Sequence, residues 1–140
     1  MQTSWILYPM FTMVLLTLMI GLRMLQLRFR AVYQDNLDPV YFKLNRGGKP
    51  PHYMTQAEQH YVNLFESPVL FYVVVVLIYV MQLVDLFTLT LAWVYVVSRL
   101  AHAHVHLGNN AILRRRNIFL MSIALIATLW SYVFIRLILQ

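Results

Sequence analysis

The sequence predicts an all-α integral membrane protein, a four-helix bundle. Three observations carry this. Of 140 residues, 61% are hydrophobic and only 11% charged, more apolar surface than a soluble domain of this length can bury. The apolar residues fall into four stretches, each long enough to cross a hydrocarbon core of roughly 30 Å at about 1.5 Å per residue. The basic residues collect between these stretches, as membrane orientation requires. The length fits one domain over residues 1–140.

The first span is expected over about Trp5–Leu27. It is too long for a signal-peptide core and lacks a basic leader and a small-residue cleavage site, so it reads as a retained helix. Arg23, Arg28 and Arg30 close it. A polar loop over 31–53 follows, with the turn signals Asp35-Asn36, Asp38-Pro39, Gly47-Gly48 and Pro50-Pro51. It is expected to hold little regular structure.

The second span, about Thr55–Gln82, is polar in its first half and wholly apolar from Val69 to Met81. Thr55 and Glu58 fit a capping box, and Pro68 predicts a kink. The third span is expected over about Phe87–Leu107, ended by Gly108-Asn109-Asn110. Arg114, Arg115 and Arg116 are placed in the following turn. The fourth span runs over about Ile118–Leu139, with Trp130 and Tyr132 as residues for the membrane interface.

The loops after spans one and three carry Lys43, Arg46, Lys49 and the three consecutive arginines, whereas the turn after span two carries no Lys or Arg. The positive-inside rule therefore puts both basic loops in the cytoplasm and both termini outside. The net charge of +6 is read as orientation rather than as a nucleic-acid surface. The chain has no cysteine, which excludes disulfides, thiolate metal sites and a cysteine nucleophile.

Ionisable groups inside spans mark buried pairs or sites. Gln59, Asn63 and Glu66 share one face of span two, and Arg99, His102 and His106 share one face of span three. Both faces lie in the cytoplasmic half. Two readings stand side by side: a structural ion pair between Glu66 and Arg99, or a polar cavity open to the cytoplasm for an anionic or zwitterionic ligand. His102 and His106 have a usable ligand spacing, with His60 able to approach. His104 points about 160° away from either neighbour on a helix, so His102, His104 and His106 cannot share one ion. The histidines are read as hydrogen-bonded helix-packing residues ahead of metal ligands, and no metal is assigned. Arg115 and its neighbours read as a topology anchor or as binders of phosphate or carboxylate at the cavity mouth.

Several of these residues resemble a known family. The basic end of span one, Asn63-x-x-Glu66-x-Pro68-x-x-Phe71, Arg99-x-x-His102 and the basic turn before span four are similar to the membrane-associated proteins in eicosanoid and glutathione metabolism, the MAPEG family, in a divergent bacterial-type form. The resemblance implies a homotrimer with glutathione sites between neighbouring subunits, a bacterial inner-membrane location, and transferase or peroxidase activity towards lipophilic electrophiles. It implies that Arg28, Asn63, Glu66, Arg99, His102 and Arg115 hold or border glutathione, with Arg99, Arg115 and His106 as catalytic candidates. Gln59 and Val62 stand where glutathione-using members have arginines. His106 stands for a tyrosine, and Phe119 for an aromatic hydroxyl. These departures favour an alternative, a non-catalytic lipid- or small-molecule-binding protein or an accessory subunit of a larger membrane complex.

Overall fold

The computed structural model describes residues 2–46 and 48–139, so Gly47 of the expected Gly-Gly turn lies outside the described residues. A 3-10 turn, Thr3–Ile6, leads into α1 (Leu7–Tyr33); then come α2 (Tyr41–Leu44), α3 (His52–Asn63), α4 (Ser67–Val80), α5 (Leu86–Leu107) and α6 (Ile112–Ile138). Four helical stretches are long and apolar enough to cross a membrane: Thr3–Tyr33, His52–Val80, Leu86–Leu107 and Ile112–Ile138. Their outward faces carry exposed Phe11, Leu15, Leu18, Val73, Val97 and Phe134, which is the expected surface of a chain solvated by lipid.

The helices pack most extensively as α5 on α6, with α1 against α3, α4 and α5, and α4 against α6. The main core contains Met13, Phe71, Val74, Ile78, Tyr95 and Leu129. Phe71 and Tyr95 stack with ring centroids 4.2 Å apart. In lipid, packing of this kind holds helices together, because apolar burial from water is no longer available as a driving force.

Four expectations are corrected. The second span is broken rather than kinked: α3 stops at Asn63 and α4 starts at Ser67. Pro68 has no amide to offer the carbonyl of Leu64, and it biases its predecessor away from helix. The chain instead tightens, with the Leu64 amide bonded to the His60 and Tyr61 carbonyls and the Phe65 amide to Val62. Thr55 and Glu58 form no capping box. The helix already begins at His52, Thr55 Oγ1 donates to the Pro51 carbonyl, and Glu58 is drawn to Arg28 at 2.9 Å.

The polar loop also holds more structure than its turn signals suggest. α2 folds within it, and Leu37, Tyr41 and Met54 bury against Ala31 in a second small core. Finally, α6 begins at Ile112, so Arg114, Arg115 and Arg116 sit on its first turns rather than in a loop. The preceding α5 ends at Gly108, where an added Cβ would lie 2.8 Å from the His104 carbonyl oxygen. A side chain there would force the backbone of the turn to shift.

Candidate functional site

The break after α3 positions the site. Gln59, Asn63 and Glu66 emerge on one side, as their spacing predicts, and all three line a cavity of about 1040 Å³. Arg28 of α1, His102 and His106 of α5 and Arg115 of α6 complete its polar wall. The structure thus brings six of the seven expected site residues to one cavity. Its volume is at the upper end of the range for small-molecule pockets, about 300–1,000 Å³.

The wall carries mixed charge. Arg28 Nη2 donates to Glu58 Oε1 at 2.9 Å across α1 and α3, and the Arg28 guanidinium lies 5.4 Å from the centre of the Phe42 ring. Arg115 Nη1 donates to Asn110 Oδ1 at 2.8 Å, which aims it across the turn between α5 and α6. Arg116 lines the same cavity. Thr55 and Tyr61 bring hydroxyl-bearing side chains to it, and Met24, Ile112 and Phe119 bring apolar surface.

Arg99 is the seventh expected residue, and it sits behind the wall. It is 0% exposed. Its Nη2 donates to Asn63 Oδ1, while Nε and Nη1 have no partner among the described residues. The expected Glu66–Arg99 pair does not form. Glu66 occupies the break between α3 and α4 and is exposed at the cavity, so the short turn carries its carboxylate outward and leaves Asn63 to meet the guanidinium. Among the described residues the one ion pair is Arg28–Glu58.

His60, His102 and His106 converge as a buried group, 0%, 3% and 4% exposed. His60 Nδ1 lies 3.1 Å from His106 Nδ1. The His60 and His102 rings stack at 5.7 Å, and His106 meets both edge-on. His104 faces outward and is exposed, as its helical position requires. Gln56 Nε2 donates to the His106 carbonyl, which ties the start of α3 to the end of α5.

Sequence reasoning underweighted three residues here. His60 shares a buried face with Ala57 and Leu64, a three-and-four spacing visible in the sequence. That spacing was the available signal for placing it inside. Gln56 and Glu58 gave no such signal, because their partners come from other helices.

No curated protein and no solved structure matches the chain. The family comparison does find a match, over residues 6–135. That range contains all four membrane-spanning stretches nearly whole, the break at Pro68 and every wall residue of the cavity. Four apolar helices enclosing a polar cavity at one end, together with this match over nearly the whole length, lead to one statement of kinship: the chain belongs to the MAPEG family.

Proposed function

We propose that this MAPEG-family membrane protein is a glutathione-dependent transferase or peroxidase for lipophilic electrophiles, working as a homotrimer. The observation that supports the reading is the mixed charge of the cavity. Glutathione presents two carboxylates, an ammonium group and a thiol. Arg28, Arg115 and Arg116 suit the carboxylates, and Glu58 and Glu66 suit the ammonium group. When bound, glutathione supplies a nucleophilic sulfur.

The chain's own residues have three tasks in this reading. Arg115 favours thiolate over thiol through its positive charge. Asn63, clamped to Arg99, fixes the wall at the break. Phe119 and Ile112 offer an apolar approach from the bilayer. In the transferase reaction a carbon–sulfur bond forms as the bond to the leaving group breaks, and the thiol proton passes to water. In the peroxidase reaction two thiols become one disulfide as the O–O bond is reduced to an alcohol and water.

The test is thermal unfolding of the purified protein with glutathione against an equal concentration of glycine and glutamate, followed by a conjugation assay with an aryl halide. Glutathione at 100 times its dissociation constant should add about 2.7 kcal/mol. No shift beyond the amino-acid control would refute the reading.

A second reading is favoured by one observation: His106 and Phe119, which line the cavity, bring no hydroxyl to it. A binding protein without turnover, or an accessory subunit of a larger membrane complex, would show the thermal shift and no conjugation. Location in a bacterial inner membrane with both termini outside the cytoplasm belongs to the same proposal. A C-terminal reporter fusion, attached at Gln140 beyond the described residues, should then be active only as a periplasmic reporter. Native mass spectrometry should give a threefold mass.

A further inference from the structure

We propose that His60, His102 and His106 form a binding site for one divalent transition-metal ion of the zinc, copper and nickel class, with three imidazole nitrogens and a fourth position turned to the cavity. This inference is independent of glutathione. It rests on convergence, burial and an unpaired nitrogen of His102.

One ring nitrogen from each of the three histidines lies within 4.8 Å of the others. The closest pair, His60 Nδ1 and His106 Nδ1, is 3.1 Å apart. Two nitrogens bound to one tetrahedral zinc ion are separated by about 3.3 Å, given bonds of about 2.0–2.1 Å. That pair is already close to the edge length of a coordination tetrahedron, and His102 joins by closing in from within 4.8 Å. His102 and His106 are one helical turn apart on α5, a spacing that lets two rings reach one ion. His60 arrives from α3, so the ion would join two helices.

The hydrogen-bond inventory points the same way. The three rings share one hydrogen-bond contact, His60 Nδ1 with His106 Nδ1, and His102 Nδ1 is buried without a partner among the described residues. Buried polar nitrogens are ordinarily satisfied. A packing cluster satisfies one nitrogen of His60 and one of His106 and leaves His102 Nδ1 unpaired, whereas an ion bonds one nitrogen of every ring. Imidazole sets of this kind suit zinc, copper and nickel and not the hard oxygen-seeking ions. Three protein ligands with one open position is the arrangement of catalytic rather than structural zinc.

The positive neighbour Arg99, one turn before His102 on α5, bears on the fourth ligand. Its charge opposes a bare cation and favours an anion, such as hydroxide or chloride, in the open position. The cavity reaches His102 and His106 directly, so that position is accessible from outside. The supports are also in place: Gln56 holds the His106 carbonyl, and the Phe119 ring flanks His102 at 6.0 Å.

The experiment uses the full chain in detergent micelles, purified without a histidine tag and stripped with chelator. Titration with Co2+ should give one ion per chain and the intense visible absorption of a four-coordinate site, and Zn2+ should displace it. His60→Gln, His102→Gln and His106→Gln should each weaken binding by more than the roughly 10–100-fold commanded by outer partners of a metal site. His104→Gln, altering an exposed residue on the same helix, should leave binding unchanged. Circular dichroism and size-exclusion profiles check that each variant folds. If a variant does not fold, the wild-type titration still decides. Absence of a stoichiometric Co2+ band in the wild type overturns the proposal. So does a band that His104→Gln abolishes, or one that survives all three substitutions.

Discussion

The two ends of the bundle solve different problems. At the turn between α4 and α5, no buried side-chain polar atom among the described residues lacks a partner. Asp85 accepts from the Thr88 amide at 2.8 Å while the Asp85 amide donates to Thr88 Oγ1 at 3.0 Å. Tyr132 donates its hydroxyl to the same carboxylate at 2.6 Å, joining α6 to the turn. At the opposite end, around the cavity, buried atoms of Arg28, His60, Arg99, His102 and His106 lack partners among the described residues. One end spends its polar groups on fixing the helices. The other keeps them in reserve, which is what a binding site needs and a core does not.

Four measurements break or sharpen that contrast, all made by unfolding in detergent. The largest effect is expected in the apolar half. Phe71 is fully buried and stacked on Tyr95, so Phe71→Ala should cost about 3–5 kcal/mol. It should leave the glutathione-dependent shift intact if the protein still folds. A cost below 1 kcal/mol would mean that packing at that end is not what holds the bundle.

The next concerns the boundary between the two halves. Asn63→Ala leaves the buried Arg99 guanidinium without its one partner and should cost about 1.5–3 kcal/mol. Arg99→Met removes the charge itself and should cost less, because replacing a buried charge by an apolar side chain of similar size is often neutral. The double change should fall short of the sum. Additive effects would show that the two side chains are not coupled.

Asp85 supplies a pH test. Burial pushes its pKa up, but the Thr88 amide, the Tyr132 and Thr88 hydroxyls and the charge of Arg136 outweigh it, so the carboxyl is held below its ordinary value. A depressed carboxylate contributes stability that is full above the unfolded value, about 3.9, and is lost as pH falls through the folded value. Asp85→Ala should cost about 0.5–2 kcal/mol at neutral pH, and Asp85→Asn should flatten the acid limb of the stability profile. An unchanged limb would exclude the turn as its source.

The smallest effect is expected at the Arg28–Glu58 pair, where both side chains are partly exposed. Glu58→Gln should cost about 0.2–1 kcal/mol of stability. If Glu58 receives an ammonium group, the same change should weaken glutathione binding by more than it weakens the fold. A matching loss in both would assign Glu58 to structure alone.

Much of this was legible in the sequence. The four spans were readable because length and apolarity decide them locally, and the two polar faces because helical spacing does. The third span matches to within a residue at Leu86. The fourth starts at Ile112 rather than about Ile118, since Arg114, Arg115 and Arg116 read as loop by charge although arginine is a good helix former. The partners of Arg99, Glu58 and His60 were not legible. They depend on how α1, α3 and α5 are rotated about their own axes, and no local pattern fixes a rotation. Glu66 shows this best: it has the right charge and depth for Arg99, yet a three-residue break turns it elsewhere.

That break has an evolutionary consequence. In an uninterrupted helix, inserting or deleting one residue turns everything beyond it by about 100°. A length change within α3 would then swing Phe71, Val74 and Ile78 out of the bundle. The irregular stretch Leu64–Glu66 offers a place where such a change is absorbed before α4 begins. The histidine- and glutamate-bearing segment can thereby change its rotation against α1 and α5 while α4, which starts at Ser67, keeps its own orientation.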